Sequence, residues 1–320
     1  MPDRAHTEID LLLGVTASGK SACSLAIADR LNAEIVSVDS MQVYRGMDIG
    51  TAKASPAELA SVPHHLIDVV DPWDAFSAAK FTEMADAAIE DITRRGKRPL
   101  IVGGTPLYVM SLVFGMFEGP SADAAFRDTL RQRADAEGTP ALHVGLSEVD
   151  PEAASRIHPN DYKRIERALE VHHITGRTLS SLQTQWDSGR TRYPTRAIGL
   201  RREKEDASRR INARVRQMIA EGLVEETRRL LAHPNGMSEQ ARQALGYAQI
   251  IDHLEGRCPL EDAIESIKIQ TRRFAKHQRT WFRKFLFAKW IDVAEDDTMA
   301  SVADRAIALI ESTPASNAGP

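Results

Sequence analysis

One segment near the start of the sequence limits the possible folds more than any other. Residues 9–13 are a short apolar run, and residues 14–21 (Gly-Val-Thr-Ala-Ser-Gly-Lys-Ser) fit the pattern G-x-x-x-x-G-K-[ST]. The apolar run is long enough for one buried parallel strand, and residues 22–31 have the composition of the helix that should follow. Strand, loop and helix in this order predict an α/β fold with a phosphate-binding loop at its centre.

The residue types of this loop explain why it should bind phosphate. Gly14 and Gly19 let the backbone turn tightly, Lys20 supplies a positive charge, and the Ser21 hydroxyl can ligate Mg²⁺. The N-terminus of the next helix adds a partial positive charge at the same point. These residues alone leave open which phosphate compound binds.

Two further strands are predicted to end beside the loop. Residues 34–38 lead to Asp39, and residues 99–102 lead to a Gly-Gly-Thr turn that ends at Thr105. In a doubly wound parallel sheet, ligands lie outside the carboxyl ends of the strands, so both side chains should lie near the phosphate loop. Residues 39–53 are polar and without periodicity, which is typical of a functional loop.

Strand-like patterns then become rare. Residues 119–196 are predicted to be a helical insertion, and residues 1–118 and 197–320 the P-loop core, a doubly wound parallel sheet with a helical C-terminal part. One β-like segment, residues 195–200, suggests that the sheet resumes there.

Capping residues predict where two helices begin. Ser77 should be the N-cap of a helix that runs to about Arg95. Thr139 should be the N-cap of another, with Pro140 as its first residue.

Composition narrows the class of protein. No apolar stretch reaches 18 residues and the first eight residues contain no apolar signal core, so we expect a cytoplasmic protein without membrane contacts. The net charge of −4 hides a local excess, because residues 266–291 contain eight Lys or Arg and no Asp or Glu. Basic residues interspersed with aromatics favour an RNA surface. By helical spacing, Phe274, Trp281 and Phe285 should face the core.

Taken together, seven groups of residues resemble the tRNA dimethylallyltransferase (tRNA isopentenyltransferase) family of bacteria, from the phosphate loop to about Arg283. These groups are residues 14–21, 39–53, 64–68, 103–108, 150–151 with 160–170, 245–247 and 271–283. Each segment alone is a weak signal, but their order and spacing together are specific.

The resemblance implies a prenyl transfer. Dimethylallyl diphosphate would donate its dimethylallyl group to N6 of the adenosine 3′ to the anticodon of tRNA, forming N6-(dimethylallyl)adenosine. By the resemblance, Asp39 is the general base for the N6 proton and Thr105 orients the reacting groups. Ser21 would hold Mg²⁺, which neutralises charge on the leaving diphosphate. The residues that would bind the diphosphate are Gly14, Thr16, Ala17, Ser18, Gly19, Lys20, Ser21 and Arg210.

The resemblance also implies a set of contacts to the anticodon stem-loop of tRNA, by a protein expected to be a monomer. These residues are Asp39, Ser40, Met41, Gln42, Thr105, Arg127, Lys163, Arg164, Ile165, Glu166, Arg167, Arg214, Gly246, Tyr247, Arg272, Lys276, His277, Gln278, Arg279, Trp281 and Arg283. Four positions depart from the family pattern. Val15 stands where proline is common and Ser21 where threonine is common, and both keep the chemistry. Pro106 stands where glycine is frequent, and His277 stands where arginine is usual, which weakens one phosphate contact.

Several alternatives stay open at this point. Asp39 could hold a Mg²⁺-bound water or cap a turn, Thr105 could be a simple capping residue, and Arg214 could lie on a solvated helix face. A small-molecule kinase shares the phosphate loop but leaves the basic stretch unexplained. A GTPase switch protein is disfavoured because no Asn-Lys-x-Asp motif occurs. The nearest alternative is a prenyltransferase that acts on free adenylate. Such an enzyme would not need the basic stretch or the insertion, so both favour tRNA as the substrate.

Overall fold

The computed structural model describes residues 7–117, 119–184, 186 and 190–316. The chain forms two compact units. The first, which we name the sheet unit, combines Met1–Val113 with Thr191–Pro320, and the second, the helical unit, is Phe114–Arg190. The predicted insertion of 119–196 is therefore shifted by about five residues at each end. Its predicted C-terminal boundary would cut through a strand of the sheet.

The described residues of the sheet unit contain a six-stranded sheet in which every strand pair is parallel. The strands are β1 (Ile9–Gly14), β2 (Ala33–Val38), β3 (His64–His65), β4 (Arg98–Gly103), β5 (Thr195–Arg201) and β6 (Lys289–Asp292). Their order in the sheet is β3-β2-β4-β1-β5-β6. At the centre, Leu11 of β1 pairs with Ile101 of β4 on one side and with Ala197 of β5 on the other.

Fifteen helices are found within the described ranges. They are α1 (Lys20–Leu31), α2 (Pro56–Ser61), α3 (Ala78–Arg94), α4 (Pro106–Phe114), α5 (Ala124–Glu137), α6 (Thr139–Val149), α7 (Pro151–Arg156), α8 (Tyr162–Thr175), α9 (Leu179–Leu182), α10 (Lys204–Ala220), α11 (Leu223–Leu231), α12 (Glu239–Arg242), α13 (Tyr247–Leu254), α14 (Leu260–Phe282) and α15 (Met299–Ser312). In the described part of the chain, none is long and apolar enough to cross a membrane.

Local sequence explains most element boundaries. Ser77 is the N-cap of α3, as predicted, because its hydroxyl accepts a hydrogen bond from the Lys80 N–H. The predicted N-cap of α6 is wrong by one residue: Gly138 is the cap and Thr139 is already helical. Strand β6 was not predicted, since its four residues follow a long basic run and carry no clear alternation.

Each unit has its own apolar core. In the sheet unit, α1 and α15 pack together and contribute Ile27 and Val302 to a cluster that also contains Leu12 of the central strand. In the helical unit, a separate cluster includes Leu142 and Ile165, both fully buried. Each unit therefore has a hydrophobic driving force of its own.

The chain leaves the sheet unit and returns to it at neighbouring points. The Arg192 N–H donates to the Val113 carbonyl oxygen at 2.7 Å. The residues of the sheet unit that flank the helical unit therefore lie side by side.

The strand order places the loops after β1 and β4 next to each other. Strand β1 lies between β4 and β5, and the chain connects to strands on both of its sides. In such a sheet the carboxyl ends of the central strands form a crevice that binds ligands. The predicted doubly wound P-loop fold is confirmed, and its crevice lies beside the loops that follow β1 and β4.

Candidate active site

The phosphate loop has the backbone geometry that its sequence predicts. Gly19 has φ of +97°, a conformation that glycine adopts without strain, and α1 begins at the next residue. The Ser18 N–H donates to the Val15 carbonyl at 3.1 Å, which closes the turn. The N–H groups of the first turn of α1 have no intrahelical partner, so they are available to an anion.

This loop forms one wall of a cavity of about 870 Å³. Residues 17–22 meet residues of the 48–59 segment and one face of α10 across this space. Lys20 and Ser21 come from the loop, and Arg210 and Arg214 come from α10. The loop and α10 thus bring three cations and the Ser21 hydroxyl to a single cavity, and the 48–59 segment adds Lys53. The residues that line the cavity all belong to the sheet unit. Arg214, predicted to contact tRNA, lies here with the diphosphate-binding residues.

Two of these cations have no acidic partner. Among the described residues, no carboxylate lies within ion-pair distance of Lys20 or Arg214, whereas Arg210 lies 3.3 Å from Asp206. Burial lowers the pKa of Lys20 to about 8, an effect that Asp39 opposes and Arg214 reinforces. Burial likewise lowers the pKa of Arg214, again against the charge of Asp39. Lys53, which also lines the cavity, is paired with Asp48 and Asp68. The positive charge that an anion would neutralise is therefore local to Lys20 and Arg214.

Arg202, which the sequence analysis did not identify, supports the phosphate loop. Arg202 is buried, its Nε donates to the Ser18 carbonyl at 3.1 Å, and its Nη1 donates to Asp206 at 2.8 Å. The same Asp206 carboxylate accepts from Arg210, so one buried acid links the loop support to a cavity residue. The Arg202–Asp206 spacing of four residues was the available signal.

Asp39 is held by its own loop. Its Oδ1 accepts hydrogen bonds from the N–H groups of Met41 at 2.9 Å and Gln42 at 3.2 Å. This is the capping geometry weighed as an alternative, and it occupies one carboxylate oxygen. Thr105 lies nearby, because its Oγ1 accepts a hydrogen bond from the Ser40 N–H at 3.2 Å. The two predicted catalytic residues are thus connected through one peptide.

A second missed residue, Glu226, fixes the far part of the 39–53 loop. Its buried carboxylate accepts hydrogen bonds from the N–H groups of Asp48, Ile49 and Gly50. Tyr247 donates its hydroxyl proton to the same carboxylate at 2.6 Å and is fully buried. The side chain of Tyr247, predicted to contact tRNA, is therefore buried in the support of this loop.

Gln42 also turns inward. Its Oε1 accepts from the Ser37 hydroxyl, and its Nε2 donates to the carbonyl groups of Thr51 and Ala52. Both ends of the 39–53 loop are thus tied together by a side chain that was predicted to contact tRNA. Gly246, from the same predicted set, is buried with φ of +97° and precedes α13.

Helix α14 carries the basic stretch, but its buried face differs from the predicted one. Thr271, Ala275, Gln278 and Phe282 face inward, whereas Phe274 is 41% exposed. The prediction for Phe274 is wrong because small and polar residues form the inner stripe. Phe285 is buried as expected, but it lies beyond the end of the helix.

The outer side of this region keeps most of the predicted RNA residues. Lys276, His277 and Arg283 are exposed, and Arg279 and Trp281 are half-buried. Arg272 donates to the Asn212 side chain at 2.6 Å, so it has a protein partner.

In the helical unit, two predicted RNA-contacting arginines share one acid. Arg127 and Arg167 both donate to Glu170, which is fully buried, and the Asp123 N–H donates to it as well. Burial would raise the pKa of Glu170, but these hydrogen bonds outweigh it and hold the pKa at about 2.

Of the remaining residues of the helical unit that were predicted to contact tRNA, some are exposed and some are buried. Lys163 and Arg164 are exposed on α8. Ile165 belongs to the apolar core, and Glu166 is 4% exposed, so neither side chain can meet RNA on the surface.

The residues beside the phosphate loop determine whether the predicted Mg²⁺ would find suitable ligands there. Among the described residues, no group of three His, Cys, Asp or Glu side chains is arranged to hold a metal. Ser21 and Asp39 line the same small cavity of about 50 Å³ beside the phosphate loop. A hydroxyl, phosphate oxygens and waters are a donor set that Mg²⁺ accepts, so the residues present fit a diphosphate-borne Mg²⁺.

Pro106 is accommodated by the fold. It is the first residue of α4, where a missing N–H costs no helical hydrogen bond. The departure from glycine therefore stabilises a helix start directly after Thr105.

Comparisons with known proteins agree over most of the chain. The family model described as IPP transferase matches residues 42–285. A tRNA dimethylallyltransferase from Geobacillus thermodenitrificans is 46% identical over 298 residues, which are 92% of this chain and 93% of that protein. The solved tRNA isopentenylpyrophosphate transferase from Bacillus halodurans is 40% identical, with a TM-score of 0.69, over 95% of this chain and 97% of its own. A eukaryotic dimethylallyltransferase acting on tRNA is 28% identical, with a TM-score of 0.78, over 98% of this chain and 82% of its own.

Proposed function

This chain belongs to the IPP transferase family, and we infer from its site how it transfers a dimethylallyl group to an adenosine of tRNA. We propose that dimethylallyl diphosphate lies on the phosphate loop and that N6 of the adenosine 3′ to the anticodon accepts the group. The observation that carries this proposal is the cavity in which Lys20 and Arg214 lie without an acidic partner among the described residues. Such a cavity suits a compact, multiply charged anion.

The chain's own residues would hold and polarise the donor. Loop N–H groups and Lys20 would bind the diphosphate, and the forked guanidinium groups of Arg210 and Arg214 would bind its outer oxygens. Because these charges are fixed before the reaction, they stabilise the negative charge that develops on the leaving diphosphate. Ser21 would hold Mg²⁺, which when bound supplies further positive charge to the diphosphate oxygens.

Asp39 is proposed to take the proton from N6 of the adenine. Two backbone N–H groups fix one of its carboxylate oxygens, which orients the other for a proton transfer. Thr105, bound to the Ser40 N–H, would position the reacting groups next to this carboxylate. No nucleotide is hydrolysed in this reaction, because the diphosphate itself is the leaving group.

The acceptor would reach the site as part of a tRNA anticodon stem-loop. Exposed cations of α14, among them Lys276 and Arg283, would contact RNA phosphates. In the helical unit, Lys163 and Arg164 offer the same chemistry. Bases of an RNA loop are partly unstacked, so exposing the adenine to an enzyme requires little energy. We propose that the protein acts as a monomer in the cytoplasm.

The direct test supplies tRNA, radiolabelled dimethylallyl diphosphate and Mg²⁺ without any nucleoside triphosphate. Label should appear in the tRNA. Brisk tRNA-stimulated ATP hydrolysis, with no transfer of label, would instead support a nucleotide-driven enzyme.

The role of Asp39 is tested by Asp39→Asn, which keeps the shape but cannot accept the proton. Single-turnover transfer should slow by about 10²–10⁴-fold while tRNA affinity is kept. Asp29→Asn, an exposed position on α1, is the control and should leave the rate unchanged. If excess Mg²⁺ restores the rate of the Asp39 variant, the residue serves the metal and is not the base.

A further inference from the structure

We propose that Gln278 is a positioning residue that holds the phosphate loop against the loop that carries Thr105. This proposal rests on the proposed prenyl transfer. Gln278 was expected to contact RNA, but its side chain is only 2% exposed. Its Oε1 accepts a hydrogen bond from the Thr16 N–H at 2.9 Å, and its Nε2 donates to the Gly104 carbonyl at 2.6 Å. One amide thus joins the loops that follow β1 and β4.

The chemistry of this link favours an amide. Thr16 offers a backbone donor and Gly104 offers a backbone acceptor, so the connecting group must accept at one end and donate at the other. Of the side chains of this length, glutamine does both without a charge. Leaving either backbone group unsatisfied in this buried place would be costly.

Gly104 allows the link to be short. A Cβ at this position would lie 2.7 Å from Gln278 Nε2, 3.1 Å from the Gly14 carbonyl oxygen and 3.5 Å from Lys20 Nζ. Any side chain here would therefore push the phosphate loop, the lysine or the amide away. The close contact shows that the two loops and the helix meet at this point.

The link extends from the helix to both proposed catalytic residues. Thr105 follows Gly104 directly, and its hydroxyl accepts from the Ser40 N–H, next to Asp39. On the other side, Thr16 belongs to the loop that would hold the diphosphate. Gln278 therefore sets the distance between the donor site and the residues that act on the acceptor. Displacements of about 1 Å between reacting groups can cost about 100-fold in rate.

Helix α14 thereby has two separable roles. Lys276 and His277 lie on its exposed side, two and one residues before the buried glutamine. Substitutions on the outer side should change RNA affinity, and a substitution of Gln278 should change the chemical step. This separation makes the proposal testable within one helix.

The test compares Gln278→Met with Lys276→Met in steady-state prenyl transfer. Gln278→Met keeps the length of the side chain but removes both hydrogen bonds, so kcat should fall by about 10–100-fold. The affinity for tRNA should stay within about twofold of the wild-type value. Lys276→Met should weaken tRNA binding and lower its salt slope by about 1, with kcat at saturating tRNA kept within about twofold. A Gln278 variant that loses tRNA affinity but keeps kcat would overturn the proposal.

Gln278→Glu provides a second variant if the methionine form does not fold. It retains an acceptor for Thr16 but places an oxygen against the Gly104 carbonyl, so it should fail to restore kcat. Wild-type kcat in this variant would show that the donor to Gly104 has no role and would overturn the link.

A measurement made without substrate tests this proposal independently of the proposed function. In the wild-type chain the Thr16 amide should exchange slowly with deuterium, and Gln278→Met should accelerate the exchange by about tenfold or more. If the wild-type protein does not transfer dimethylallyl groups, this measurement still tests the link. Unchanged exchange at Thr16 would overturn it even if transfer activity is confirmed.

Discussion

Two cations of the phosphate cavity, Lys20 and Arg214, and two arginines of the helical unit are arranged in opposite ways. Lys20 and Arg214 line a cavity and, among the described residues, no carboxylate pairs with them. Arg127 and Arg167 both bind Glu170, a fully buried acid. The first pair is available to an incoming anion, whereas the second pair is already held in place by the protein.

This difference indicates what each region can do. Burial lowers the pKa of both unpaired cations, and they gain stability only when an anion binds. Two arginines oriented by one buried carboxylate keep a defined geometry at all times. The three side chains together carry a net charge of +1. The cavity is thus built to respond to a ligand, and the helical unit to present a fixed surface.

The largest effect is expected from Lys20→Met, which removes the charge at the phosphate loop. The value of kcat/KM for dimethylallyl diphosphate should fall by about 10²–10³-fold, because a fixed cation facing the leaving group is lost. Steady-state transfer at varied diphosphate concentration measures this. Lys97→Met is the control, since Lys97 lies just before β4 at the opposite end of that strand. A loss below tenfold would contradict the contrast between the two regions.

The next effect is expected from Glu170→Gln in the helical unit. In the folded protein the pKa of Glu170 is about 2, whereas an unfolded glutamate has a pKa of about 4.3. The carboxylate therefore stabilises the fold above pH 4.3, and this contribution is lost as the pH falls towards 2. At pH 7 the variant should lose about 3 kcal/mol in free energy of unfolding.

Denaturant unfolding at several pH values measures this loss. The difference between wild type and variant should shrink as the pH is lowered from 5 to 2. Glu137→Gln, which removes an exposed partner of Arg133, is the control and should cost less than about 0.5 kcal/mol. A constant difference across this pH range would show that Glu170 acts through packing alone.

These two regions also show what the sequence could predict. The phosphate loop, its strand and its helix follow from local residue order, so Lys20 and Ser21 could be placed from the pattern alone. Asp39 and Thr105 could be placed because parallel strands end at one edge of the sheet.

Long-range partners could not be predicted in the same way. Glu226 binds a loop about 180 residues away, and Gln278 joins two loops that precede it by more than 170 residues. Neither contact has a periodic or local signal. The exposed or buried state of Phe274 and Gln278 likewise depends on what packs against α14, which spacing within one helix does not reveal.

The smallest effect is expected from pH at the phosphate cavity. The pKa of Lys20 in the free protein is about 8, so the lysine is charged below that pH and neutral above it. The value of kcat/KM for dimethylallyl diphosphate should therefore fall about tenfold between pH 7 and pH 9. Lys20→Arg keeps its charge, so its profile should stay flat in this range. An identical bend in both proteins would assign the titration to another group.

The adjacent ends of the helical unit have an architectural consequence. Because Val113, near the end of α4, and Arg192, just before β5, share a hydrogen bond, the chain leaves the sheet unit and returns to it at one point. A short Gly-containing linker could bridge these two residues without moving β1 or β5. The intervening segment should therefore be removable as one piece, with the strands and the phosphate loop of the sheet unit left in place.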